Sequence, residues 1–327
     1  MRSLILFFII YFLSSFFFLI NKNFYSSQDH IFLIKEGQSF NTLKKSLEDL
    51  NITFPFIIDL FFYISGADKS LRKGEYLIDK KSDLLSFSTE LAEGKVFYRS
   101  FYIPEGSVVT QFLSDKEKKS FCDYKGLEEC ELEGMFHPNT YYFEAGENIN
   151  ELLNEAFNAQ LLIATEQFEK IKENMTIKDI YDLIIIASIL EKESCPNERS
   201  LISGIIYNRL QSGMKLQIDS TVIYGIDNFN GNLTKNDLKK NTPFNSYTNY
   251  GLPPKPISTP SKSSLIAAAN PTESEYLFFV SKGKCAHQFS KSYSEHIKAI
   301  KKYHTKKITL KLNQGPDGGS TYEIEDI

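Results

Sequence analysis

The sequence predicts an α+β chain: an apolar N-terminal helix, a small α+β unit, then a larger helix-rich domain with short strands. Three observations carry that expectation. An uncharged apolar segment runs from Ser3 to Ile20, the strand-like runs IFLIKEG and EYLID enclose a helical stretch, and the region beyond Thr176 alternates apolar helices with polar loops. The expected boundaries are 1–23 for an anchor, 31–100 for the small domain, 101–305 for the larger domain and 306–327 for a polar tail.

The segment Ser3–Ile20 contains no ionisable residue, and as a helix it spans roughly 27 Å, enough for a bilayer. A cleaved signal peptide is the rival reading. The residues after the run are bulky or polar and offer no small-x-small cleavage site, so a retained anchor is expected. Arg2 and the amino terminus on one side outweigh Lys22 on the other, which places the body outside the cytoplasm.

The small unit reads as a strand at IFLIKEG, a helix from Phe40 to Leu50, an aromatic run from Phe54 to Ile64 and a strand from Glu75, with turns at Gly37 and Gly74. Aromatics at these spacings belong to a core before they belong to a ligand stack. Lys95–Pro104 alternates as a strand does, and Glu105-Gly106 ends it before a short helix from Val108. An aromatic loop, LEGMFHPNTYYF, and a polar amphipathic helix from Asn150 to about Asn174 follow.

The next helix organises the larger domain. Thr176 stands three residues before Asp179, the spacing of a capping box, and Ile180 to Leu190 is apolar around most of the helical circumference. Pro196 disfavours helix at Cys195, so Glu191 and Glu193 fall in the last turn, where the helix leaves the core. A carboxyl at the negative end of the helix dipole, against aliphatic neighbours, is disfavoured as an anion and suits a general acid. At about 100° per residue the two glutamates point to opposite sides, and spacing leaves open which of them would act.

A helix from Glu198 to Gln211, capped by Gly213, presents Leu201, Ile202, Ile205, Ile206 and Leu210 inward. In MKLQIDSTVIYGI, Gln217 and Asp219 share a face if the segment is extended into a strand-like VIY; alternatively Asp219 caps a helix. Asn241–Pro260 reads as a long ordered loop, Ser261–Asn270 as a short helix, Glu275–Ser281 as a buried strand, and YSEHIKAIKKY as a last amphipathic helix.

A net charge of −4, with no basic block and no nucleic-acid-binding motif, excludes nucleic acid as an expected partner. Five histidines form no close ligand-spaced pair, so neither a metal nor another cofactor is expected, and His287 beside Cys285 reads as a loop histidine. Four cysteines permit disulfides in an oxidising compartment, with the pairing open.

Taken together, ASILEKE, GIIYNRLQSGM, KLQIDSTVIYG, NSYTNYGLPPKPIS, YLFFVS, HQF and SEHIKAI, in this order, resemble the endolytic murein transglycosylases of the MltG (YceG-like) family. Weaker matches reach upstream through YIPEGS and LEGMFHPNTYYF to a small domain that the resemblance implies is LysM-like. The resemblance implies that Glu193 is the catalytic acid/base of a lyase cutting between N-acetylmuramic acid and N-acetylglucosamine, with the muramyl 6-hydroxyl as nucleophile and a 1,6-anhydro end as product. It places Asn208, Gln217, Asp219, Tyr224 and Tyr247 about the substrate cleft. It also implies nascent peptidoglycan strands as substrate and a link to the synthases that polymerise them. Three positions depart from the family pattern: Ser220 replaces a usual Pro, Asn139 an acidic residue, and Lys255 a Gly. The rivals are a hydrolytic muramidase using Glu193 and Asp219 and a non-catalytic wall-binding scaffold.

Overall fold

The computed structural model describes residues 2–21, 29–48, 56–78, 83–171 and 176–312. It is a helix-rich α+β chain whose strands, among the described residues, pair as two-stranded sheets, β1-β2, β3-β4 and β5-β6. Two compact units divide it, Met1–Phe101 with Tyr141–Asn148, and Tyr102–Thr140 with Ile149–Ile327.

Helix α1 (Arg2–Asn21) comes first, and its side chains are described from Ile5 to Phe17, all exposed. The span expected over Ser3–Ile20 extends past these described side chains, and among the described residues no helix is long and apolar enough to cross a membrane. The rest of this unit is β1 (His30–Ile34), α2 (Phe40–Glu48), α3 (Phe56–Ser65), β2 (Gly74–Ile78) and α4 (Leu84–Glu93). Antiparallel pairing sets Phe32 opposite Tyr76. The aromatic run is helical, and Phe61 and Phe62 are fully buried with Leu43, Leu47 and Phe87. Its first residues, Phe54 and Pro55, lie outside the described residues.

The strand expected over Lys95–Pro104 is shorter, β3 (Arg99–Tyr102), paired with β4 (Thr140–Phe143). Between them lies α5 (Asp115–Lys125), closed by a capping box at Ser114 and Glu117. A disulfide ties Cys122, within α5, to Cys130 just beyond it. Helix α6 (Ile149–Phe168) ends before the expected Asn174, which itself lies outside the described residues.

Helix α7 (Ile180–Glu193) is the core of the second unit. Asp179, and not Thr176, is its N-cap, accepting from the Asp182 N–H at 2.9 Å. Every residue from Leu183 to Leu190 is buried, and each Leu or Ile so enclosed contributes about 1.5–3 kcal/mol of burial free energy. The one polar member is satisfied within the core. Ser188 Oγ donates to the Ile185 carbonyl and accepts from the Ile257 N–H, while the Ser188 carbonyl accepts from Ser258 Oγ. The helix thereby holds the Pro-rich loop along its flank. Gly134 lies against that loop with φ +74°, and a Cβ there would stand 2.6 Å from Pro256 Cβ.

After a 3-10 turn at Pro196–Glu198 come α8 (Arg199–Gln211) and α9 (Asp219–Tyr224). The strand-like reading of VIY is corrected: Thr221 and Val222 are buried in a helical turn, and Thr221 Oγ1 bonds the Ile218 carbonyl and Ser246 Oγ. Tertiary bonds outweigh the strand preference of β-branched residues. Small residues let α10 (Lys262–Ala269) approach α7, with Ala267, Ala268 and Ala269 all buried. The strand placed at Glu275–Ser281 is shifted, to β5 (Phe278–Gly283), and only Phe278 is buried in it because β5 pairs solely with β6 (Ala286–Ser290). Helix α11 (Tyr293–Leu312) reaches into the expected polar tail, the rest of which lies outside the described residues.

Candidate active site

The two glutamates at the end of α7 have opposite environments. Glu191 is a structural carboxylate, its side chain only 6% exposed. Its Oε1 meets Arg199 Nη2 at 2.7 Å, and its Oε2 accepts from the Ser261 N–H (2.9 Å), Ser261 Oγ (2.6 Å) and Ser264 Oγ (2.7 Å). Arg199 also reaches Ser261 and Ser263. Four hydrogen bonds, three of them on Oε2, hold this carboxylate in place.

Glu193 is half-buried, and the hydrogen bond it accepts comes from the Ser220 N–H, 3.3 Å from Oε1. Burial pushes this carboxyl above the ordinary carboxylate range, and the charge of Asp219 pushes the same way; Ser220 and His287 pull it down. A desolvated carboxyl beside a like charge resists ionisation, which keeps its proton available for transfer.

The loops around it are cross-tied. Tyr247 OH donates to Asp219 Oδ1 at 2.6 Å, and burial followed by the Asp219 charge raises the Tyr247 phenol. Gln217 takes a left-handed backbone (φ 49°) while its N–H donates to the Ser246 carbonyl. Arg209, buried at 6% exposure, donates to the carbonyls of Leu277, Lys215 and Leu216 and, at 3.4 Å, to Gln217 Oε1. One guanidinium thus pins the segment that carries Gln217 and Asp219 to the β5 approach.

The sequence-expected residues separate on these contacts. Glu193, Asp219, Tyr247 and Gln217 belong to one connected network. Tyr224 joins at a distance: its OH donates to Glu133 Oε2 at 3.0 Å, from the helix whose second residue, Ser220, touches Glu193. Asn208 does not join; its amide donates to the carbonyls of Ser274 and Tyr276 and braces that segment. Lys255, a departure in the loop, is paired with Glu131 at 3.1 Å.

Sequence reasoning missed Arg209, Glu133 and Glu198. Arg209 had a signal, since it follows Ile205 and Ile206 by four and three residues and so sits on the inward stripe of α8. Glu133 is buried at 5%, accepts from the Val109 N–H, and is raised by burial above the usual range, with Tyr224 opposing. Its signal was a lone acid inside an aromatic loop. The Cys195–Cys285 disulfide then ties the chain two residues beyond Glu193 to the β5–β6 turn. An apolar recess of about 380 Å³ lined by Met135, Phe168, Ile180 and Tyr181 lies at the other end of α7, roughly 20 Å from Glu193 along the helix. Lys178 and Asp179 also line it, and the Asp179 carboxyl is engaged as the N-cap of α7.

The family model for YceG-like proteins matches residues 32–302. The chain belongs to the YceG-like family. Among its relatives, the "Endolytic murein transglycosylase" of Bacillus subtilis is 34% identical over 178 residues, 54% of this chain and 49% of that protein. The protein of the same description from Streptococcus pneumoniae is 33% identical over 156 residues, 46% of this chain and 28% of that protein. The matches therefore span half or less of the length of these curated relatives. A crystal structure of a YceG-like protein from Listeria monocytogenes aligns at TM-score 0.52 and 26% identity, over 84% of this chain and 99% of that one.

Proposed function

We propose that this YceG-like chain is an endolytic lytic transglycosylase of peptidoglycan, with Glu193 as its acid/base. The observation that carries the reading is the contrast at the end of α7: Glu191 is bound by four hydrogen bonds within the core, whereas Glu193, half-buried and raised, accepts one and keeps acceptor capacity for a ligand. The description of the relatives supports the reaction class.

In the proposed cycle the Glu193 carboxyl gives its proton to the oxygen linking N-acetylmuramic acid to N-acetylglucosamine, and the bond from that oxygen to the muramyl anomeric carbon breaks. The resulting carboxylate then takes the proton of the muramyl 6-hydroxyl as its oxygen bonds to the same carbon. Glu193 ends protonated, and the product carries a 1,6-anhydro ring. One carboxyl suffices because the nucleophile belongs to the substrate, whereas a hydrolase needs a second carboxylate for water or for a covalent intermediate. Asp219, fixed by Tyr247, places negative charge beside the developing oxocarbenium ion; Gln217 orients the sugar. Mass spectrometry of purified glycan strands after digestion tests the reaction: anhydro-muramyl ends are expected, and reducing ends formed with uptake of water would mean a muramidase.

The acid role also sets a pH dependence. When Glu193 must enter protonated, kcat/KM falls as pH rises through its pKa in the free enzyme. Asp219→Asn removes a charge that raises Glu193, so this basic limb moves to lower pH. Ser220→Pro removes the N–H that stabilises the anion, at a first-turn position of α9 where proline is tolerated, so the limb moves to higher pH. Limbs unmoved in both variants would assign the titration to another group.

For location, the proposal is a single membrane anchor at Ser3–Ile20 with the body outside the cytoplasm, the small domain being LysM-like and the target nascent strands, whose growth the enzyme would end beside the synthases. The two disulfides support an oxidising compartment.

A further inference from the structure

His287 is held more tightly than a loop histidine needs to be. Glu198 Oε1 accepts its backbone N–H at 3.2 Å, and Glu198 Oε2 pairs with ring Nδ1 at 2.7 Å. The Phe279 ring meets the imidazole edge to face at 5.5 Å, which fixes the ring plane. Both partners are anchored by the same covalent strut, because Cys195 lies three residues before Glu198 and Cys285 two residues before His287. Cys195 is also two residues beyond Glu193, so the strut brings the imidazole to the end of α7. The Glu193 carboxyl feels His287 electrostatically.

The carboxylate of Glu198 can only accept. It takes the Nδ1 hydrogen, and Nε2 is left as the outward nitrogen of the ring. Nε2 makes no hydrogen bond to any described residue, and it is not among the sealed polar atoms, the side chain being 11% exposed. A ring anchored at one nitrogen and open at the other is the arrangement by which a second carboxylate orients a histidine for a ligand.

We propose that His287 is a substrate-binding residue of the Glu193 site, its Nε2 hydrogen-bonding a saccharide hydroxyl or acetamido group next to the scissile bond, with Glu198 as the positioning residue that aims it. This rests on the transglycosylase reading and adds to it the residue that would register the sugar against Glu193.

Two substitutions separate binding from bracing, because an asparagine amide reaches the Nδ1 position and a glutamine amide the Nε2 position. His287→Asn keeps the Glu198 bond and loses the open nitrogen; KM for glycan strands is expected to rise about five-fold or more, with kcat and Tm little changed, as for loss of one uniformly used hydrogen bond. His287→Gln is expected to stay within about two-fold of wild type in KM. De-N-acetylated strands divide the two partners: the Asn effect vanishes on them if the acetamido group is the partner and persists if a hydroxyl is. Wild-type KM in His287→Asn at unchanged Tm overturns the proposal. Should His287→Asn fail to fold, the imidazole 15N resonances of the Glu193→Gln protein decide, since titration with a soluble glycan fragment must shift Nε2, and an unmoved signal is equally fatal. Failure of the transglycosylase reading looks different: wild type would then release no anhydro ends, whatever stands at 287.

Discussion

Glu193→Gln is expected to lower kcat for strand cleavage by about 10²–10⁴-fold, the usual contribution of a positioned general acid or base, while leaving the fold intact. The substitution keeps the shape of the side chain and an acceptor oxygen for the Ser220 N–H. It also removes a carboxyl whose burial disfavours its charged form, so Tm should hold or rise slightly. A glutamine amide neither protonates a leaving oxygen nor takes the 6-hydroxyl proton, and both halves of the cycle stop together. Mass spectrometry of parallel digests reads the result. Anhydro ends at the wild-type rate from the variant would remove Glu193 from the chemistry, and a cellular phenotype unchanged by the variant would favour a scaffold that binds wall without cutting it.

The sequence made the long elements legible because their signals are local. The all-round apolar face of Ile180–Leu190 gave α7, and Pro196 gave its end within a few residues. Gly213, at φ 63°, stands at the turn where α8 was expected to close. What stayed hidden depends on partners far along the chain. Glu191 and Glu193 were equivalent on the helix because Ser261 and Ser264, which bind the first, lie 70 or more residues away. At Asp219–Tyr224 a helical and a strand-like reading stayed open, because the hydrogen-bond partner that decides between them, Ser246, belongs to a different loop. The bracing contacts of Asn208, whose cleft role the resemblance alone implied, had no local signal either, since Ser274–Tyr276 is brought to α8 only by the fold. Cysteine pairing was open for the same reason, with 90 residues between Cys195 and Cys285.

The same contrast at the end of α7 predicts an opposite phenotype one turn-face away. Glu191→Ala is expected to destabilise the protein by about 3–5 kcal/mol, the usual cost of leaving half of a buried ion pair behind. Arg199, whose side chain is 7% exposed, would keep a buried charge facing only hydroxyls. The loss spreads beyond the pair, because Glu191 also caps α10: the Ser261 N–H and hydroxyl and the Ser264 hydroxyl all lose their acceptor. Since α10 is the closest helical partner of α7, loosening its first turn should lower the cooperativity of unfolding as well as Tm. Thermal and urea melts of Glu191→Ala beside Glu193→Gln measure this directly. Any activity that the folded Glu191→Ala protein retains below its melting point should still release the same products, because the proton donor is untouched. Equal stability of the two variants would show that Arg199 finds another counter-charge and that the division of labour between the two glutamates is mistaken.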